Sequence, residues 1–162
     1  MKAPRVGFGF DSHRFEAGRP LVLGGVTIPF DRGLAGHSDA DVLTHAIIDA
    51  MLGAASAGDI GRLFPDTEEK YRNASSMGLL GRALEEVREL GYRMGNIDAV
   101  VITEEPQIGP HALEIRRSIA GGLGMDEAAV SVKGKTNEEM GAIGRREGIA
   151  ANAVVLIIPN GR

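Results

Sequence analysis

The chain contains no cysteine, which excludes a disulfide framework, a thiolate zinc site and a catalytic thiol together. Any metal it binds must be held by nitrogen and oxygen ligands. Tryptophan is absent too, and only five Phe and two Tyr occur among 162 residues, against 23 Gly. That balance argues for a small-residue core with tight turns rather than an aromatic one. Positive charge is not in excess: 18 Lys and Arg against 22 Asp and Glu give a net charge of −4. Nothing general attracts nucleic acid or an anionic membrane, so neither is expected as a partner, and an anionic ligand must be met by local groups. No apolar run approaches the roughly 20 residues of a membrane span, and MKAPRVGFGF lacks the apolar core of a signal peptide. A cytoplasmic location is the expectation. No linker, repeat or composition shift divides the chain, so residues 1–162 are read as a single domain.

Residues 5–15 alternate as a strand does, with Val6, Phe8 and Phe10 on one parity and Gly7, Gly9, Asp11, His13 and Phe15 on the other. LVLGGVTIPF, residues 21–30, reads as two short strands around Gly24-Gly25, a hairpin signal. Ser38, followed three residues later by Asp41, resembles a capping box, and the pattern beyond it predicts a helix over about 39–56 with Ser38 as N-cap. SSMGLLGRALEEVRELG carries Met77, Leu80, Leu84 and Val87 at helical spacing and predicts a second helix that stops at Gly91. NIDAVVITEEP predicts a buried strand over about 97–104, and the segment after Pro110 a third helix. AVSVKGK and IAANAVVLII read as late strands. The sum is an α+β fold, a mixed β-sheet with helices packed on one face.

Asp11 and His13, two apart on a strand, point to the same side. On the first helix Asp41, His45 and Asp49 follow at i, i+4 spacing and form a polar stripe among apolar neighbours. Asp11, His13 and His45 supply one carboxylate and two imidazoles, a set zinc accepts, and three protein ligands leave a fourth position open for chemistry. Taken alone, a histidine is more often a packed or strand-end residue than a ligand: His45 could cap or pack within the helix, and His13 could sit exposed at a strand end. His37 and Ser38 precede the helix, where free N–H groups favour an anion. GDIGRLFPDTEE, residues 58–69, is either a ligand-contacting loop or an Asx-type turn into Tyr71. TEEPQIGPH, residues 103–111, is either a cradle for a flat group or an ordinary strand-to-helix connection. Residues 132–150 mix Lys133, Lys135, Arg145 and Arg146 with Thr136, Glu138 and glycines. Backbone N–H groups, a hydroxyl and a Lys suit a diphosphate, and a carboxylate suits a hard divalent cation beside it. A solvated charged turn fits the same composition, and the Walker A spacing is absent.

Taken together, GFGFDSHRF, GGVTIPFDRGLAGHSDADVLTHAIIDAMLGAASAGDIGRLFPDTE and GRREGIA closely resemble the 2-C-methyl-D-erythritol 2,4-cyclodiphosphate synthase family, over essentially the whole chain. The resemblance implies an α+β subunit that forms a homotrimer, with active sites between neighbours. It implies zinc bound by Asp11, His13 and His45, and substrate contacts from Asp11, Ser12 and His13. His37 and Ser38 would contact the phosphates, with His37 and Thr136 stabilising the transition state. Asp49, Asp59, Ile60 and Gly61 match positions near the methylerythritol hydroxyls, and Phe64, Pro65, Asp66, Thr67 and Glu68 match a loop that closes on that moiety. Thr103, Glu104, Glu105, Pro106, Gln107, Ile108 and Gly109 match the cytidine-binding segment. Lys135, Thr136, Asn137 and Glu138 match the diphosphate-binding segment, where Glu138 would also hold magnesium or manganese. Ala142 and Arg145 are further matched positions. The implied reaction is intramolecular phosphoryl transfer on 4-diphosphocytidyl-2-C-methyl-D-erythritol 2-phosphate in the non-mevalonate isoprenoid pathway, closing a cyclic diphosphate and releasing CMP.

The chain departs from the family pattern in places. Lys135-Thr136-Asn137-Glu138 stands where a Thr-Thr-Thr-Glu run is common, Gln107 where a Lys is frequent, Ala142 where a Phe is usual and Arg146 where a Gly is. Phe10, Ala142, Arg145 and Glu147 match positions that line a cavity on the three-fold axis able to hold an isoprenoid diphosphate.

Overall fold

The computed structural model describes residues 2–65, 67–71 and 74–161. In chain order the elements are β1 (Arg5–Ala17), β2 (Leu21–Leu23), β3 (Val26–Ile28), β4 (Arg32–Leu34), α1 (Val42–Ala55), α2 (Ile60–Leu63), α3 (Ser76–Glu89), β5 (Tyr92–Ile102), α4 (Ala112–Leu123), β6 (Val130–Lys135), α5 (Gly141–Gly144) and β7 (Gly148–Pro159). The main sheet has the order β4-β1-β7-β5-β6, with β5 and β6 parallel and the other neighbours antiparallel. It is mixed, as expected. β2 and β3 pair separately around Gly24 and Gly25, whose φ values are +60° and +77°. Left-handed φ at both turn positions is what a tight hairpin requires, and glycine adopts it without a Cβ penalty.

Helix α1 lies across β1 and β7, α3 packs on α1 and β5, and α4 packs on α3 and β6, so the helices form one layer. The alternation in β1 decides how that layer sits. The glycine parity faces α1: a Cβ on Gly7 would stand 1.9 Å from the Ala50 carbonyl oxygen, and one on Gly9 would stand 1.9 Å from that of Ala46. Strand and helix backbones meet with no side chain between them. The aromatic parity faces outward, with Val6, Phe8 and Phe10 at 67%, 64% and 53% exposure. The core lies between sheet and helices and includes Leu43, Ile47, Met51, Leu80, Ile97 and Ile115.

Three sequence expectations are corrected. Helix α1 begins at Val42, and its N-cap is Asp41 rather than Ser38. The Asp41 carboxylate accepts from Thr44 N at 2.9 Å and Thr44 Oγ1 at 2.8 Å, and also from the hairpin amides Gly24 N at 2.9 Å and Gly25 N at 2.7 Å. These four bonds bury it completely, so it leaves the stripe it was expected to share with His45 and Asp49. Strand β5 starts at Tyr92, five residues before the predicted start, because pairing with β7 extends back to Pro159 and a bulge at Gly95 absorbs the register change. Strand β4, three residues long, is too short to carry a period.

Candidate metal centre and adjoining clefts

Asp11 and His13 leave β1 on the side of Gly9, and His45 comes from the start of α1 to meet them. Asp11 Oδ2 lies 2.9 Å from His13 Nε2 and 3.2 Å from His45 Nδ1. The imidazole centroids are 5.6 Å apart and the rings stand edge-on. His13 Nδ1 is 2.7 Å from the Ala35 carbonyl oxygen. A carbonyl only accepts, so Nδ1 carries the proton and Nε2 turns its lone pair inward. That Nε2 is buried without an aligned hydrogen bond, although Asp11 Oδ2 is 2.9 Å away. Two acceptors facing each other at this range repel unless a cation or proton lies between them. A zinc tetrahedron with bonds of roughly 2.0–2.1 Å sets its ligand atoms about 3.3 Å apart, close to both spacings found. The donor set and the orphaned nitrogen therefore fit a zinc ion, and among the described residues this is the group of three metal-ligating side chains that converges.

Electrostatics in the metal-free triad follow from the same contacts. Burial pushes the Asp11 carboxyl up, but His13 and His45, which bond and attract it when their facing nitrogens are protonated, outweigh burial and hold the group at about 2. Burial lowers His13, and Asp11 with the Ala35 carbonyl more than reverses this, leaving it raised above 6.5. The segment before α1 is pinned by Arg19, which donates to the carbonyls of Gly36 at 2.7 Å and Ser38 at 2.6 Å. This sets Ser38 Oγ 3.3 Å from His45 Nε2.

The triad opens into a cleft of about 220 Å³ whose other walls include His37, Ser38, Asp49, Ile60, Gly61 and Phe64. Asp49 Oδ1 accepts from Ile60 N at 2.8 Å. Burial raises the Asp49 carboxyl, that amide opposes the shift, and the charges of Asp59 and Asp11 reinforce it. Asp59 Oδ1 caps α2 at Arg62 N, 2.9 Å away. Phe64 is buried edge-on against Tyr71, with centroids 5.4 Å apart. Pro65, Thr67 and Glu68 continue this loop, and Asp66 lies outside the described residues.

With this geometry in place, the profile of the YgbB family matches residues 4–158. The chain belongs to that family. It is 56% identical over 162 residues to the 2-C-methyl-D-erythritol 2,4-cyclodiphosphate synthase of Aromatoleum aromaticum, covering 99% of this chain and 98% of the relative. The Plasmodium falciparum IspF in complex with CDP matches with a TM-score of 0.87 at 35% identity, covering 99% of each chain. The bifunctional IspDF of Campylobacter jejuni matches with a TM-score of 0.93 at 45% identity, covering 96% of this chain and 42% of that one. The YgbB chain thus spans less than half of the bifunctional protein. The family resemblance read from DSHRF, GHSDAD and DIGRLFPDT is borne out.

A second cleft of about 280 Å³ in this YgbB chain lies where the turn after β5 meets the end of β6. Thr103, Glu104, Pro106, Gln107, Ile108 and Gly109 form one side, and Lys135 and Thr136 the other. Thr103 N bonds the Lys135 carbonyl at 2.9 Å, and a Cβ on Gly134 would stand 2.7 Å from Ile108 Cβ, so the two segments touch. Glu104 Oε1 accepts from Asn137 N at 2.8 Å and Glu139 N at 3.2 Å. That brace spans a turn in which Glu138 and Glu139 hold left-handed φ values of +51° and +59°, a conformation costing such residues of order 1 kcal/mol or more each. Thr136 Oγ1 donates to the exposed Glu138 at 3.1 Å. Arg146 has φ +62° and reaches Glu105 at 3.5 Å. That left-handed φ is one a glycine would adopt without a Cβ penalty. Arg145 is exposed and paired with Glu147 at 2.6 Å. Ser12 and Ala142 lie together in a third, open groove of about 760 Å³.

The two clefts share no lining residue. Ser12 pairs with Ala150, Ala150 with Ile102 and Ile102 with Lys135, so Lys135 lies level with Ser12, three strand spacings away. Three spacings are about 14 Å. Within one chain the triad and the Lys135–Glu138 segment therefore do not meet. Sequence reasoning missed Arg19, Asp39, Tyr71 and Ser76. Ser76 stands 31 residues from His45 in sequence yet 2.9 Å from its ring, and no local pattern signals such a contact.

Proposed function

We propose that the chain is a single cyclodiphosphate synthase domain that converts 4-diphosphocytidyl-2-C-methyl-D-erythritol 2-phosphate to 2-C-methyl-D-erythritol 2,4-cyclodiphosphate and CMP in isoprenoid precursor synthesis. The observation that carries this reading is the convergence of Asp11, His13 and His45, with the His13 Nε2 unpartnered, in a cleft of mixed polar and apolar lining. Its support from relatives is a synthase name at 56% identity and a CDP-bound neighbour.

The 2-phosphate oxygen attacks the β-phosphorus, the bond from that phosphorus to the CMP phosphate oxygen breaks, and CMP departs with the electron pair. The substrate's own phosphate is the nucleophile, so a chain without cysteine needs no protein nucleophile, and that phosphate is already ionised, so no protein base is required. Zinc on Asp11, His13 and His45, with magnesium or manganese on Glu138, would supply Lewis-acid polarisation and charge neutralisation at the diphosphate. Asp49 and the Asp59–Gly61 segment orient the methylerythritol hydroxyls, with the Phe64–Glu68 loop closing over them. His37 and Ser38 contact the phosphates, and His37 and Thr136 donate to the phosphoryl oxygens in the transition state. Lys135 adds a direct cation. Thr103–Gly109 holds the cytosine ring. Folding the substrate on itself makes the attack effectively unimolecular.

The 14 Å gap and the exposed Val6, Phe8, Phe10 and Val154 face support a homotrimer in which one subunit's triad faces its neighbour's diphosphate and cytidine segments. No helix among the described residues is long and apolar enough to cross a membrane, and the highly charged substrate fits a cytoplasmic enzyme. The test is incubation with the cytidine substrate and zinc plus magnesium, followed by phosphorus NMR. Equal amounts of CMP and cyclic diphosphate are expected, and both should vanish after chelation. A linear phosphate product, or no CMP, overturns the reading.

A further inference from the structure

The structure assigns a positioning role to Asp39 and Ser76: a carboxylate–hydroxyl–imidazole series that fixes the tautomer and ring angle with which His45 presents Nδ1 to the metal. This inference rests on the reading of the triad as a metal site, and neither residue touches the metal or the substrate in that reading.

The argument is one of donors and acceptors. Ser76 is fully buried at the first position of α3. Its amide donates to Asp39 Oδ2 at 2.9 Å, and its hydroxyl donates to Asp39 Oδ1. A serine hydroxyl has one proton, and here a carboxylate, which can only accept, takes it. The Ser76 oxygen then faces His45 Nε2 at 2.9 Å with lone pairs alone. Nε2 must carry the ring proton, and Nδ1, 3.2 Å from Asp11 Oδ2, is left with the lone pair. Ser38 Oγ, at 3.3 Å, is a longer second acceptor for the same N–H and itself receives Ala40 N at 3.3 Å.

Asp39 also accepts from Asp41 N at 3.2 Å. The same carboxylate therefore caps the entry of α3, whose own N-cap Ser75 makes no side-chain bond, and steadies the entry of α1. Ring orientation at the metal is thereby tied to the packing of the two helices. Outer hydrogen bonds of this kind fix a ligating imidazole and raise its basicity, and their loss typically weakens metal affinity 10- to 100-fold.

The experiment measures zinc dissociation by chelator competition on the full chain for wild type, Ser76→Ala, Ser76→Thr and Asp39→Asn. Ser76→Ala should bind zinc about 10- to 100-fold more weakly. Ser76→Thr, which keeps the hydroxyl, should return close to wild type, and Asp39→Asn should show a loss of about 10-fold, the low end of the range for an outer hydrogen-bond partner. In long-range nitrogen–proton NMR of the zinc-loaded protein, the His45 Nε2 proton should be slow to exchange in wild type and fast in Ser76→Ala. Undiminished zinc affinity or an unchanged Nε2 proton in Ser76→Ala overturns the inference. If Ser76→Ala does not fold, unchanged affinity in Asp39→Asn overturns it. Failure of the wild type to bind zinc overturns the metal reading as well, so the two failures are distinguishable.

Discussion

Substituting Gly9 by Ala adds one methyl group where the structure has no room for it. The new Cβ would lie 1.9 Å from the Ala46 carbonyl oxygen, 2.7 Å from Ala50 N and 2.9 Å from the Ala46 carbonyl carbon. All three are backbone atoms of α1, so no side chain can swing aside. Restoring ordinary contact requires the helix to retreat by roughly 1.5 Å. Overpacking of this kind costs about 2–3 kcal/mol. The retreat also displaces His45, one residue from the clash, relative to Asp11 and His13 on the strand, and a 1 Å misplacement at a reacting centre costs about 10²-fold in rate. Urea unfolding at constant m-value, zinc titration and CMP release measure the three consequences. The control is Gly78→Ala in α3, where a Cβ meets nothing within 4 Å and a gain of about 0.5–1 kcal/mol is expected. If Gly9→Ala proves as stable and as active as Gly78→Ala, the close approach of strand and helix is wrong.

Further outcomes follow from the same contacts. Asp41→Ala removes the buried acceptor of four hydrogen bonds and should destabilise by about 3 kcal/mol, so a loss below about 1 kcal/mol in urea titrations contradicts its assigned tie between hairpin and helix. A raised His13 favours the folded state below 6.5 and loses that contribution as pH climbs through the folded-state value, while Asp11 at about 2 adds stability above 3.8 that is lost as pH falls through 2. The melting temperature of metal-free protein should therefore fall between pH 6 and 8, whereas zinc-bound protein should gain stability over that range because protons compete with the metal; parallel profiles contradict the triad. Glu104→Ala releases the turn at 137–139 and should weaken CDP binding about 10-fold with zinc affinity unchanged, which calorimetry checks. Phe8→Glu places a charge on the exposed sheet face, and under the proposed homotrimer it should yield monomers in sedimentation; an oligomer unchanged from wild type rules out that face as the interface.

Much of the fold and half of the site were legible because they obey short-range periods. D-x-H on an alternating strand, the glycine pair of the hairpin and the helix expected over about 39–56 each follow from neighbours in sequence. Ser38 was misread as the cap because Ser and Asp compete for that role locally, and only the hairpin amides, about 16 residues away in sequence, settle it for Asp41.

The sequence by itself determined the ligand types, the family and the alternation of β1: without cysteine, a metal can meet only carboxylates and imidazoles. It left open which parity of β1 lies inside. Tertiary packing chose the glycine side, because only there can α1 approach closely enough to set His45 beside Asp11 and His13. Tertiary structure alone also recruited Ser76 and Asp39 to His45, and put three strand spacings between the triad and the Lys135–Glu138 segment. Both depend on distances across the sheet and between helices, where contacts join residues far apart in the chain and leave no period to read.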